Sequence, residues 1–202
     1  MVEEQLRARG IEDERVLEAM GRVPREACLD SDERRRAYRD MPLPIGFGQT
    51  ISQPYMVALI AQAAAVRPGE KVLDVGTGSG YSPAVFAELG ARVHTIERIP
   101  ELAAEARDRL REAGYPDVAV HVGDGSLGLP EEAPFDAIAV AAAAPELPLR
   151  LYEQLVPGGR LVAPIGDRGG QRLEIAVRSP EGPAVVRSVP CRFVPLVGEG
   201  GY

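Results

Sequence analysis

Among its 202 residues the chain has a single lysine, two histidines, two cysteines, and neither tryptophan nor asparagine. Each scarcity closes a class of function. Lys71 precedes the apolar stretch 72–75 instead of following a glycine-rich turn, so no Gly-Lys-Ser/Thr phosphate loop exists. His94 and His121 are isolated, without acidic neighbours at ligand spacing, and no metal site is expected. There is no nucleophile elbow, and Ser52 has no base near it in sequence, which disfavours acyl-enzyme chemistry. Cys28 and Cys191 lie far apart, and MVEEQLRARG does not read as a secretory signal. A reduced, cytoplasmic pair is therefore expected over a disulfide. No uncharged apolar run approaches ~20 residues, so no membrane span is expected. The net charge of −7 offers no basic face for nucleic acid or an anionic membrane. Arginine in place of lysine reads as compositional bias.

What is present suits one globular domain: 45% hydrophobic and 26% charged residues in a chain long enough for a sizeable core. The organising stretch is 72–81, VLDVGTGSGY. It predicts a buried strand, a turn through Gly76, Gly78 and Gly80, and a helix over 84–89. Glycines there permit close approach of a ligand, and the helix start beyond them offers free N–H groups. A dinucleotide fold needs G-x-G-x-x-G/A. Here the spacing is G-x-G-x-G and Tyr81 stands at the third small position, which argues against a pyrophosphate. S-adenosylmethionine (SAM), an adenosine without phosphate, is the reading left. It calls for a second acid to hold the ribose. Glu97 answers, ending the predicted strand 91–96, 21 residues after Gly76. The bland alternative for Glu97 is a solvated acid paired with Arg98.

In chain order, residues 2–9 predict a short helix closed by Gly10. A second helix, capped by Asp13, follows and stops before Gly21. Arg34, Arg35 and Arg36 read as a solvated face. Residues 41–54, MPLPIGFGQTISQP, are too apolar for an idle linker and too broken for an ordinary strand, so they read as a binding loop. Few charged groups lie in it, which suggests selection of a substrate by backbone position. Ser52 reads as an N-cap, as a site residue, or as both, for a helix to 65 with Tyr55, Leu59, Ile60 and Ala63 inward. Another helix spans 100–113, with Leu102, Ala106 and Leu110 buried. Strand 118–122 ends at Asp124, a third acid suited to adenine's amine or else a plain turn residue. Strand 135–140, a helix over 147–155, a tight turn at 156–159 and strand 160–164 follow. Alternation at 172–178 and 184–194 around Pro180–Pro183 predicts a hairpin. The sheet is thus expected to be mostly parallel, with helices on both faces and antiparallel strands at its late edge.

Three segments together resemble the protein-L-isoaspartate O-methyltransferases: PLPIGFGQTISQPYMVA (42–58), VLDVGTGSGY with TIERIPELA (95–103), and GDGSLG…APFDAI with RFVPLVGEGGY. The opening MVEEQLRARGI…VLEAM…VPRE also fits. The resemblance implies a Rossmann-like α/β SAM-methyltransferase fold with a seven-stranded sheet, in one domain. Its parts would be N-terminal helices and substrate loop (1–66), cofactor core (67–166) and C-terminal strands (167–202). It implies methyl transfer from SAM to the free carboxylate of L-isoaspartyl residues in damaged proteins and peptides; separately, a monomer is expected. By motif position, Asp74, Gly76, Thr77 and Gly78 would face the methionine part of SAM, Glu97 the ribose, and Asp124 and Gly125 the adenine end. Ser52 resembles the active-site serine, with Ile45, Thr50 and Val194 framing the isoaspartyl group. A relative acting on another carboxylate, and a SAM-binding protein without turnover, are the alternatives.

Overall fold

Helix α1 (Glu14–Arg22) starts where the Asp13 carboxylate accepts the Arg15 amide hydrogen at 3.0 Å. It runs through Gly21 and stops at Val23, because Pro24 disfavours the helical backbone in the residue before it. The computed structural model describes residues 1–167 and 169–202, with Arg187 described by its backbone alone. Before α1, Val2–Leu6 and Arg7–Arg9 form short π and 3-10 turns ending at left-handed Gly10.

The 41–54 segment is more ordered than its composition suggests. Strands β1 (Leu43–Pro44) and β2 (Thr50–Ile51) pair antiparallel, with Ile45 donating to the Gln49 carbonyl at 3.0 Å. The tip turns through Phe47, whose φ is 53°. Helix α2 (Pro54–Ala64) follows, with Pro54 in its first turn and Gln53 as N-cap, so Ser52 does not cap it. It buries Met56, Val57, Ala58, Ile60, Ala61 and Ala64, while Tyr55, Leu59 and Ala63 are only half-buried. Packing against both α1 and the sheet leaves it little free surface, hence the difference from the expected single face.

Strand β3 (Lys71–Val75), helix α3 (Tyr81–Glu88), β4 (Arg92–Glu97), α4 (Pro100–Glu112), β5 (Ala119–Val122) and β6 (Phe135–Val140) build the parallel core. Helix α5 (Leu149–Tyr152) is far shorter than the expected 147–155, since Pro148 excludes Leu147 from helix and β7 (Leu155–Asp167) begins at once. The 156–159 stretch is absorbed into β7 through a register shift opposite Phe135 and Ala137. Strands β8 (Gly170–Ser179) and β9 (Gly182–Cys191) close the sheet. The order is β5-β4-β3-β6-β7-β8-β9, parallel to β7 and antiparallel after it.

Alternation along β3 decides which side each residue serves. Val72 joins the core under α1, α2 and α3, whereas Leu73 and Val75 join the core on the other face. Each fully buried aliphatic side chain contributes ~1.5–3 kcal/mol relative to exposure, so the two-sided sheet is the rigid frame. The chain leaves it in opposite directions on either side of β3 and β6. That switch point, at the strand C-ends, is where a crevice must open.

Candidate active site

Two cavities meet at this switch point. One is lined by Gly76, Gly78, Glu97 and Gly125 from the sheet turns, roofed by Ile45 and Gln49 of the β1–β2 hairpin, and walled by residues 194–197. The other is a groove of about 600 Å³ holding Ser52, Tyr55 and Met56 on one side and residues 189–193 on the other. Thr50, Ala141 and Val194 line both and form the shared wall. Of the expected site residues, Ser52, Gly76, Gly78, Glu97, Gly125, Ile45, Thr50 and Val194 therefore converge, with Ile45 over the first cavity alone.

Glu97 ends β4 nearly buried, at 6% exposure. Its Oε2 accepts the Gly78 amide hydrogen at 3.0 Å and its Oε1 that of Ile99 at 3.1 Å. Each oxygen keeps a lone pair for a further donor. It makes no ion pair with Arg98 among the described residues. Gly125 is required by space, and Gly78 is favoured by its left-handed backbone in a tight spot. A Cβ on Gly125 would lie 2.7 Å from Val75 Cγ1, and one on Gly78, whose φ is +52°, would lie 3.2 Å from Ile45 Cδ1. The slot is narrow and largely apolar, with the buried Glu97 carboxylate and Arg98 at its edge, so a ligand there would meet one acceptor able to take hydroxyl hydrogens and a single cation in place of a phosphate loop.

Three of the expected site residues, Asp74, Thr77 and Asp124, make hydrogen bonds within the protein. Asp74 is 1% exposed beneath the glycine turn, accepting hydrogen bonds from Ser82 Oγ at 2.7 Å and Thr95 Oγ1 at 2.8 Å. Burial pushes its carboxyl up to about 7 despite those two bonds, with the Glu97 charge adding to the rise. Thr77 points the same way, 2.7 Å from Thr95 Oγ1. Asp124 turns to the C-terminal tail, accepting from the Ser126 amide at 2.9 Å, the Ser126 hydroxyl at 2.6 Å and the Glu199 amide at 2.8 Å. None of the three lines the cavity under the β1–β2 hairpin. Motif position names the turn but not which way each side chain faces.

Ser52 is half-buried in the groove, and its hydroxyl makes no hydrogen bond among the described residues. Its carbonyl accepts from Arg25 at 2.7 Å. Arg9, Arg192 and the Asp40 carboxylate behind Arg9 are groove features that sequence reading missed. The two thiols are unpaired, and burial pushes the Cys191 thiol up to about 11, leaving it protonated at neutral pH. His94 and His121 are not isolated in space: Nδ1 of the first lies 3.3 Å from Nε2 of the second, and Glu132 lies 3.8 Å from His94 Nε2. Among the described residues no group of three or more His, Cys, Asp or Glu could hold a metal, and no helix is long and apolar enough to cross a membrane.

A family model described as protein-L-isoaspartate(D-aspartate) O-methyltransferase (PCMT) matches residues 1–201. Protein-L-isoaspartate O-methyltransferase 1 of Syntrophobacter fumaroxidans is 52% identical over 202 residues, covering 100% of this chain and 94% of its own. The protein-L-isoaspartate O-methyltransferase of Hyperthermus butylicus is 53% identical over 214 residues, covering 100% and 89%. A solved protein-L-isoaspartate O-methyltransferase superposes with a TM-score of 0.88 at 27% identity, over 100% of this chain and 67% of that one. A structure from Plasmodium falciparum, described as a beta-aspartate methyltransferase (PCMT) in complex with S-adenosyl-L-homocysteine, gives 0.83 at 28% identity, over 96% and 95%. With a family model spanning all but its last residue and relatives above half identity along its whole length, this chain belongs to the protein-L-isoaspartate(D-aspartate) O-methyltransferase family.

Proposed function

We propose that this SAM-dependent enzyme methylates the free α-carboxylate of L-isoaspartyl residues in damaged proteins at the wall shared by its two cavities, formed by Thr50, Ala141 and Val194. The observation that carries the division of labour is the unpartnered Ser52 hydroxyl in the peptide groove, across that wall from Glu97.

An α-carboxyl has a pKa of about 3.5 and is already ionised at neutral pH, so the chain need supply no base. The groove is accordingly lined without histidine, lysine or carboxylate. SAM supplies an electrophilic methyl group on a sulfonium. Glu97 accepts from the ribose hydroxyls, and Gly76, Gly78 and Gly125 leave room for the rest. Ser52 donates a hydrogen bond that turns one carboxylate oxygen toward the shared wall. Ile45 and the 194–197 tail keep water from it. Alignment of this kind can supply ~7–11 kcal/mol of barrier lowering. The resulting ester is the first step of repair.

The free thiols are in keeping with a reducing compartment, and we place the enzyme in the cytoplasm, acting as a monomer on protein substrates. The test is methyl transfer from labelled SAM to a synthetic isoaspartyl peptide, with its aspartyl twin as control. Transfer to the first is expected to be faster by about 100-fold. Absence of transfer, or equal transfer to both, overturns the substrate assignment.

A further inference from the structure

Arg25 is among the largest fully buried side chains of the described residues, at 0% exposure, and nothing in the reaction so far uses it. It opens a 3-10 turn, Arg25–Cys28, that follows Pro24. No carboxylate pairs with it among the described residues. Instead its Nε donates to the Ala37 carbonyl at 2.7 Å and its Nη2 donates to the Ser52 carbonyl at 2.7 Å. Its guanidinium carbon lies 4.8 Å from the centre of the Tyr81 ring, and its Nη1 is buried without a partner.

This is an expensive arrangement. A buried cation is costly unless paired, and an unsatisfied buried donor adds to that cost. An apolar side chain of similar volume would fill the space but leave the Ala37 and Ser52 carbonyls without these donors. What an arginine alone provides is a rigid planar fork that fixes two carbonyls at once. One of those carbonyls belongs to Ser52. The platform beneath the fork is Tyr81, the first residue of α3, directly after the cofactor turn.

We infer that Arg25 is a positioning residue for methyl transfer: by fixing the Ser52 carbonyl it sets the backbone from which the Ser52 hydroxyl reaches the substrate carboxylate. The inference rests on the reading of Ser52 given above. A lysine carries its donors on one nitrogen without the planar fork, so it is a poorer substitute. A methionine fills the volume and holds neither carbonyl.

The test is a double-mutant cycle on the full chain, with an isoaspartyl peptide at saturating SAM. It uses Ser52→Ala, Arg25→Met and the double variant, with affinity for S-adenosylhomocysteine and thermal stability measured on each. Arg25→Met is expected to lower kcat/KM about tenfold or more, mainly in kcat, as displacement of an aligned group does. Affinity for S-adenosylhomocysteine should change by less than about twofold, because the Arg25 hydrogen bonds go to Ala37 and Ser52, neither of which lines that cavity. The double variant should be no slower than Ser52→Ala alone, since residues acting as a unit are not additive. If Arg25→Met does not fold, Arg25→Lys takes its place in the same cycle. A folded Arg25 variant with wild-type kcat, or losses that multiply in the double variant, overturns the inference while leaving Ser52 in place. An unaltered rate in Ser52→Ala sinks the reading of Ser52 and the inference with it.

Discussion

The Asp40 carboxylate, not the Ser52 hydroxyl, caps helix α2: its Oδ1 accepts the Tyr55 amide hydrogen at 2.9 Å. Its other oxygen pairs with Arg9, whose guanidinium lies 3.6 Å over the Tyr55 ring. One residue in the loop before the hairpin therefore secures the helix start, which leaves the serine hydroxyl free for a substrate. Removing a helix cap typically costs ~1 kcal/mol. Asp40→Ala should lose about that in urea unfolding, while Ser52→Ala, away from any buried contact, should stay within about 0.5 kcal/mol of the parent. An equal loss in Ser52→Ala would return the capping role to Ser52.

What could be read in advance follows from the range of each interaction. The turn at Gly76 and Gly78 and the acid at Glu97 are local consequences of strand, turn and spacing, and all three meet in one cavity. Asp40 reaches Tyr55 across 15 residues and Asp124 reaches Glu199 across 75, and no periodicity encodes such contacts. Asp74 was legible as a strand-end acid. Its direction was not, because Ser82 and Thr95 draw it under the turn. Likewise His94 and His121 meet only because β4 and β5 are neighbours.

Glu97→Ala removes acceptors for two ribose hydroxyls and releases the Gly78 amide. Hydrogen bonds to a charged group are worth ~1.5–3 kcal/mol, so affinity for S-adenosylhomocysteine should fall by roughly that amount in calorimetry. Unchanged binding by a folded variant would remove Glu97 from the cofactor site.

Asp74 makes stability depend on pH in an unusual direction. Its folded pKa, about 7, lies above the ordinary 3.8, chiefly through burial. Between those values the folded state holds a proton that the unfolded state has lost, so stability declines as pH rises through that window. Near pH 4 and below, the wild type and Asp74→Asn are both neutral at this site and should differ little. By pH 8 the wild type carries the full penalty, on the order of a few kcal/mol at ~1.4 per pKa unit. Denaturant unfolding of both proteins at pH 4, 6 and 8 measures the gap. A gap that does not widen with pH means Asp74 is not desolvated as described.

Asp124, which the resemblance puts at the adenine end, also holds the tail through the Glu199 amide. The tail's residues 194–197 wall the cofactor cavity, and Val194 also faces the groove. Asp124→Ala should therefore weaken both ligands, raising the dissociation constant of S-adenosylhomocysteine and the KM of the isoaspartyl peptide together. An effect confined to the cofactor would favour direct contact with adenine instead.

The groove carries more charge than the 41–54 segment suggested, because Arg9 and Arg192 reach it from distant parts of the chain. Arg9 is neutralised by Asp40, whereas Arg192 is exposed and makes no ion pair among the described residues. A solvated cation attracts any anionic peptide, over a screening length of about 8 Å at physiological salt. It therefore favours an aspartyl and an isoaspartyl carboxylate alike. The two differ in position: the isoaspartyl carboxylate sits on the α-carbon beside the backbone, while the aspartyl one lies a methylene farther out on a flexible arm. If the groove grips the backbone, only the first comes into line, and misplacement by about 1 Å can cost ~100-fold. Arg192→Gln should then raise KM for the isoaspartyl peptide roughly two- to fivefold, the worth of an exposed ion pair, and flatten its salt dependence. The weakening should be equal for the aspartyl twin acting as a competitor. The ratio of kcat/KM between the twins should not move. Steady-state kinetics on the matched pair at two ionic strengths reads both quantities. A ratio that collapses in Arg192→Gln would mean this arginine senses where the carboxylate lies, and that charge, not alignment, separates damaged residues from normal ones.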